Sequence, residues 1–237
     1  MKRLLKITAA ALAFWAMMAV AWSVGRLTAP RRPTPETSKE YQRANARLRP
    51  DTDRVVFMGD SITYLWDLKR SFPDRHFVNR GIGAQTSADM LIRFRQDVIN
   101  LQPKSVLILA GINDLYWGNG GSDVAQTFEN LKSNDQTMAE LAELHHIRPV
   151  FVSLLPIHDY TRAAEVTYAG VPAGMILTTN GWLQSFCAQH GYQYINLFSA
   201  MVDANGKLRR DLSDDGIHPN VAGYKVMTDV LSANFEE

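Results

Sequence analysis

Cysteine is almost missing from this chain: Cys187 stands alone among 237 residues, so no internal disulfide can form. It falls in Trp182-Leu183-Gln184-Ser185-Phe186-Cys187, an apolar run with helical spacing that reads as buried filler and not as a nucleophile. No cysteine lies near the N-terminus, which excludes a lipid-modified cysteine as an anchor there. An excess of one charge is missing too: 25 Lys and Arg face 24 Asp and Glu, for a formal net charge of +1 and no large basic block. Phosphate recognition needs a clustered basic face, so nucleic acid is not an expected partner. No His, Cys, Asp and Glu set has zinc-ligand spacing; His145 and His146 close an amphipathic stretch, where imidazole suits a helix C-terminus. No metal and no cofactor is expected. Internal repeats are absent, and low-complexity sequence is confined to a proline-bearing stretch near the start.

Long hydrophobic runs are scarce, and the one present is N-terminal. Lys2, Arg3 and Lys6 precede Ile7 to Val24, about 18 residues without a charge. That is a basic n-region followed by an apolar h-region, of a length between a signal h-region and a membrane span of about 20 residues. Ala19-Val20-Ala21 offers a cleavage site, but inside the apolar run. Residues 1–27 therefore read as a signal peptide or an N-terminal membrane anchor, with attachment through residues 7–24 if the segment is kept. The expected location is periplasmic or extracellular, either free or held to the inner membrane by the uncleaved helix; the basic start favours a cytoplasmic N-terminus. Residues 28–50, with Pro30, Pro33, Pro35 and Pro50, read as a proline-containing linker with a short helix at 38–48. Residues 51–237 then form one domain, and 46% hydrophobic residues suffice for one core.

Within that domain short apolar runs alternate with amphipathic ones. Strands are predicted at 54–58, 76–79, 105–109, 149–154 and 192–196, and helices at 62–71, 86–101, 124–146, 173–190 and 219–234. Helix-length connections force parallel pairing, so the expected fold is α/β with a five-stranded parallel sheet covered on both faces. Thr86 with Asp89 offers an N-cap, Gly191 a left-handed C-cap, and Pro219 the first position of the last helix.

The ends of these strands carry the chemistry. The first runs Val55-Val56-Phe57-Met58 into Gly59-Asp60-Ser61, the second into Asn79-Arg80-Gly81-Ile82-Gly83, and the third into Ala110-Gly111-Ile112-Asn113-Asp114. Asp214-Asp215-Gly216-Ile217-His218 follows the fifth. In a parallel sheet all of these loops open on one edge, where α/β folds bind ligands. A serine needs a base, an orienter and donors for the developing oxyanion. His218, pushed toward an extended conformation by Pro219, can serve as base to Ser61. Asp215, three residues earlier, can fold back onto the near ring nitrogen. Gly83 offers a bare N–H, Asn113 a side-chain amide, and Ser61 its own N–H.

Gly59-Asp60-Ser61, Gly83, Gly111-Ile112-Asn113-Asp114 and Asp215-Gly216-Ile217-His218 together resemble the four ordered blocks of the SGNH, or GDSL, hydrolase family. The blocks span about 160 residues, nearly the whole globular part. The resemblance implies a flavodoxin-like, three-layer α/β/α sandwich. It implies a metal-independent esterase, lipase, thioesterase or carbohydrate deacetylase, acting on a small acyl ester or an acetylated glycan. It also implies Ser61 as nucleophile, His218 as base, Asp215 as orienter, and Ser61, Gly83 and Asn113 as oxyanion donors. Thr63 stands where the second glycine of a G-x-S-x-G elbow would be, so the motif is not that one. Two alternatives use the same residues: acyl transfer to a glycan hydroxyl, and a non-catalytic carbohydrate- or lipid-binding domain. Trp66, shortly after Ser61, Tyr116 and Trp117 after the third strand, and His158 after the fourth are candidate pocket residues.

Overall fold

Alternation along the strands sets the layers. In β1, Val55–Gly59, Val56 and Met58 enter one apolar cluster while Val55 and Phe57 enter another. Val106 and Ile108 of β3 divide from Leu107 and Leu109 in the same way. Such strands are buried on both faces, as a parallel sheet between two helical layers requires. The structure is a computed structural model that describes residues 35–118, 123–171 and 174–236.

In chain order, α1 (Pro35–Asn45) precedes β1, which is followed by α2 (Ser61–Tyr64), α3 (Leu68–Ser71) and β2 (Phe77–Gly81). Then come α4 (Ser87–Asp97), β3 (Ser105–Leu109), α5 (Ile112–Gly118), α6 (Val124–Leu144) and β4 (Arg148–Val152). The chain finishes with α7 (Arg162–Gly170), α8 (Met175–His190), β5 (Gln193–Ile195), α9 (Phe198–Met201) and α10 (Val221–Asn234). The sheet order is β2-β1-β3-β4-β5 and every pairing is parallel. Met90 and Phe94 of α4, Met138 and Ala139 of α6, and Leu183 and Phe186 of α8 fill the first layer. Ile62, Trp66 and Leu68, with Met227 and Leu231 of α10, fill the second. Each fully buried side chain of this size contributes about 1.5–3 kcal/mol. Cys187 is buried in the first layer.

Register decides where the loops leave. Gly59 pairs with Gly81 on one side and Leu109 on the other. The segments carrying Ser61, Gly83 and Asn113 thus depart from the same level of the sheet, within two to four residues of its edge.

Boundaries differ from the sequence-based reading in several places. The expected helix over 62–71 is broken: Leu65 caps α2, and Asp67 starts α3 afresh by accepting from Arg70 N–H at 3.1 Å. Helices α5, α7 and α9 were not expected, because Gly111-Ile112-Asn113-Asp114 has the composition of a loop and all three helices are short. The last helix starts at Val221, capped by Asn220, whose side chain accepts from Ala222 and Gly223 N–H; Pro219 instead bridges Ser213. Thr86 and Asp89 form a reciprocal capping box on α4, and Gly191 caps α8 at φ 72°. Part of the stretch read as a linker, α1, lies against β2 and α4: the Tyr41 hydroxyl donates to Gly81 O at 2.7 Å, and Asn45 Nδ2 donates to Asp97 Oδ1 at 2.9 Å.

Candidate active site

The turn from β1 into α2 is too tight for any residue but glycine at 59. A Cβ there would fall 2.1 Å from Thr63 Oγ1 and 3.0 Å from Leu109 O. The buried Asp60 caps the helix, accepting from Ile62 N–H at 2.9 Å. Burial pushes its carboxyl up to about 7, against the opposing pull of that N–H and of His218. The cap shapes the turn that presents Ser61 as the first residue of α2. At that position the Ser61 N–H has no acceptor within the helix.

His218 meets this serine from the other end of the chain. Ser61 Oγ lies 2.9 Å from His218 Nε2, and His218 Nδ1 lies 2.6 Å from Asp215 Oδ2. The other Asp215 oxygen accepts from the N–H groups of Ile217 at 2.8 Å and His218 at 2.7 Å. Burial pushes the Asp215 carboxyl up, but the hydrogen bonds from His218 and the two N–H groups outweigh it, and the net direction is down. Those hydrogen bonds favour the ionised form of Asp215.

The loop that carries the pair is held by Ser213 and Thr161, which the sequence reading did not single out, and by Tyr160 and Gly216. Ser213 Oγ accepts from Gly216 N–H at 2.9 Å and lies 2.7 Å from His218 O. Thr161 Oγ1 donates to Asp215 O at 2.8 Å, and the Tyr160 hydroxyl donates to Ser213 O. Gly216 has φ 87°, and a Cβ there would strike His158 O at 2.4 Å.

Two more loops complete the edge. A Cβ at Gly83 would lie 3.8 Å from Ser61 Cβ, so the Gly83 backbone passes beside the serine. The next residue, Ala84, is left-handed at φ 60°, a conformation glycine adopts freely and alanine does not. Gly111, at φ 126°, turns the chain after β3. Asn113 then directs Nδ2 to Gln85 O at 2.9 Å, which fixes the plane of its amide and leaves the second N–H of that group for another acceptor. Asp114 anchors the start of α4, accepting from Ser87 N–H at 2.9 Å and Ser87 Oγ at 2.5 Å. Burial raises its pKa, against those bonds. Gln85 is steadied by Arg93, whose Nε donates to Gln85 Oε1 at 2.6 Å and whose other nitrogens reach Gly59 O and Asp97.

The structure thus brings Ser61, Gly83, Asn113, Asp215 and His218 to one edge. Trp66, read as a pocket residue, is instead in the core: it is 2% exposed and packs on Phe57, Phe72 and Tyr224. The break between α2 and α3 turns it inward, where its indole N–H donates to Ser71 Oγ at 3.1 Å. Tyr116 packs its ring where a Cβ on Gly170 would fall, 2.6 Å away, and meets Trp117 edge-on at 4.4 Å. His158 Nδ1 lies 3.0 Å from Asp159 Oδ1, and the His158 backbone N–H donates to Gly216 O at 2.8 Å, so it supports the His218 loop. Asp214 takes Asn220 Nδ2 at 3.1 Å. Among the described residues one carboxylate and imidazole group has metal-like proximity, Asp51, Asp53 and His76. It precedes β1 and β2, at the sheet edge opposite Ser61, and His76 Nδ1 already pairs with Asp51 at 2.9 Å.

The model of the GDSL-like Lipase/Acylhydrolase family matches residues 57–226. A solved Bacteroides thetaiotaomicron GDSL-like lipase is 33% identical with TM-score 0.72, over 82% of this chain and 95% of that one. A Bacteroides fragilis protein assigned as an acylhydrolase is 34% identical with TM-score 0.72, over 82% and 93%. An acetylxylan esterase of Geobacillus stearothermophilus shares the fold at 17% identity and TM-score 0.59, over 80% and 98%. The uncharacterised Bacillus subtilis lipoprotein YqeF is 31% identical over 80 residues, 34% of this chain and 32% of that protein, so the match spans about a third of the relative's length.

Proposed function

The chain belongs to the GDSL-like lipase/acylhydrolase family, an ester-hydrolysing enzyme by that membership, and from this premise we propose that it cleaves carboxylic esters through an acyl-enzyme on Ser61. The observation that carries the reading is the unbroken contact from Ser61 Oγ to His218 Nε2 and on to Asp215. His218 takes the Ser61 proton as Oγ attacks the acyl carbonyl, while Asp215 holds Nδ1–H and steadies the imidazolium that forms. The carbonyl oxygen becomes an oxyanion received by the N–H groups of Ser61 and Gly83 and the amide of Asn113. His218 then protonates the departing alcohol, and water, deprotonated by the same imidazole, releases the acid. Each oxyanion donor is worth about 3 kcal/mol of barrier.

Small acyl esters are the substrate class, acetylated glycans among them; a fold neighbour named for acetylxylan supports that choice. Turnover of p-nitrophenyl esters from acetate to palmitate, beside acetylated xylan, tests it. Turnover of at least one class, unchanged in EDTA, is expected, because nucleophile, base and donors are all side-chain or backbone groups. Activity lost in EDTA and restored by a divalent ion would move the reading to a metallohydrolase.

We also propose that residues 1–27 direct export, with the enzyme acting beyond the membrane. A relative named as a lipoprotein supports this, although here the one cysteine, Cys187, is buried in α8. Residues 7–24 lie outside the described residues, and among those described no helix is long and apolar enough to cross a membrane. Fractionation should recover the enzyme from the periplasm, the medium or the membrane; a cytosolic pool with Met1 intact would refute export.

A further inference from the structure

We propose that helix α1 is a positioning element of the oxyanion hole, with the Tyr41 hydroxyl holding the end of β2 so that Gly83 N–H stays aimed beside Ser61. The inference rests on the reading of Gly83 and Asn113 as oxyanion donors. It concerns a helix that precedes the family match at residues 57–226.

The end of β2 is clamped group by group. A Cβ at Gly81 would fall 2.2 Å from Tyr64 N and 2.7 Å from Thr63 C, so this strand end lies directly on the backbone of the helix that begins with Ser61. Asn79 ties the same two segments: Oδ1 accepts from Gly81 N–H at 2.8 Å, and Nδ2 donates to Thr63 O at 2.6 Å and Trp66 O at 3.0 Å. Ile82 N–H donates to Gly59 O at 3.0 Å. Gly81 O takes its hydrogen bond from outside these segments, from Tyr41. Gly83 N–H follows two residues later. Burial pushes the Tyr41 phenol up to about 12, which keeps it a donor at any working pH. The Arg80 guanidinium covers its ring at 4.7 Å.

A second connection runs from the same helix to the other donor. Asn45 Oδ1 accepts from Arg80 Nε at 2.9 Å, and Nδ2 donates to Asp97 Oδ1 at 2.9 Å. Asp97, fully buried, accepts from Arg93 at 3.1 Å. Arg93 holds Gln85, and Gln85 O receives Asn113 Nδ2. Tyr41 and Asn45 are four residues apart and so share one face of α1, and from that face both donors are reached through hydrogen-bonded groups. A chain of this kind defines positions because each side chain is hydrogen-bonded to the next.

Tyr41→Phe in the full-length chain tests the assignment, since it keeps the ring and its packing and removes one donor. With a p-nitrophenyl ester, kcat should fall about 3- to 10-fold, a fraction of the 10²- to 10³-fold that outright loss of one oxyanion donor costs. KM should stay within about twofold, because the misplaced group acts on the transition state and not on bound substrate. Backbone amide exchange at Ile82, whose N–H donates to Gly59 O, should speed up several-fold, while amides of β3 and β4 stay unchanged. Normal kcat with normal exchange at Ile82 would overturn the proposal. So would a lowered thermal midpoint with full kcat in the folded fraction, which would make Tyr41 a structural contact only. If the wild-type chain turned over no ester, the proposed function would fail, and the exchange comparison would still decide this one.

Discussion

Ser61→Ala abolishes ester turnover by about 10⁴- to 10⁶-fold while leaving the melting temperature within a degree or two of wild type. That range is what removal of a nucleophile costs when the oxyanion donors remain and retain a residual rate over water. The fold should not notice the change. Ser61 is partly exposed, its side-chain hydrogen bond goes only to His218, and loss of one hydroxyl opens no cavity of consequence. The α2 cap comes from Asp60 and stays in place. Kinetics and a melting curve on one preparation check both halves. A well-folded Ser61→Ala protein with near-normal rates would sink the serine mechanism, since no other hydroxyl lies against His218 Nε2 among the described contacts.

Asn113→Ala is expected to lower kcat and kcat/KM together by about 10²- to 10³-fold with KM almost unchanged. On the proposed mechanism, the charge this amide would meet exists in full only at or near the tetrahedral intermediate, so its loss would be felt in the chemical step. The structure adds a second, smaller effect. Asn113 Nδ2 also serves Gln85 O, and removing it leaves that carbonyl short of a partner, at about 0.5–1.5 kcal/mol of stability. The two effects separate in measurement: denaturant unfolding reads the second, and the rate per folded molecule reads the first. Normal turnover in the folded fraction would reduce Asn113 to a turn-bracing residue, and a raised KM with unchanged kcat would make it a ground-state contact with substrate.

The five strands, their parallel pairing and the gathering of the four loops were legible in the sequence. They follow from period and connection length: Val55-Val56-Phe57-Met58 is too short and too evenly apolar for anything but a doubly buried strand. What was not legible depends on backbone direction. Gln85 and Arg93 contribute through a main-chain carbonyl and through a guanidinium that reaches Gly59 O, and no spacing rule marks such roles. Ser213 binds back onto its own loop, a habit of serine in turns that gives no outward signal. Trp66 was misread because a continuous helix over 62–71 would have left it near the mouth, whereas the break at Leu65–Asp67 rotates it into the core. Helix α1 was partly hidden because prolines at both ends of 28–50 read as spacer, while the residues that dock it, Tyr41 and Asn45, are single side chains in a charged stretch.

Ala84 bears on how this enzyme would fail under heat. A left-handed alanine at φ 60° costs about 1–2 kcal/mol relative to a relaxed backbone, and that cost persists only while the neighbouring strand ends overdetermine the loop. As temperature loosens those neighbours, the loop gains by letting Ala84 relax, and the relaxation swings the adjoining peptide of Gly83 out of line. Local opening here therefore needs less free energy than opening of the sheet. The consequence is a reversible inactivation that sets in below the global melting transition: the rate would decline on warming while the far-ultraviolet signal of helices and strands is still that of the intact domain.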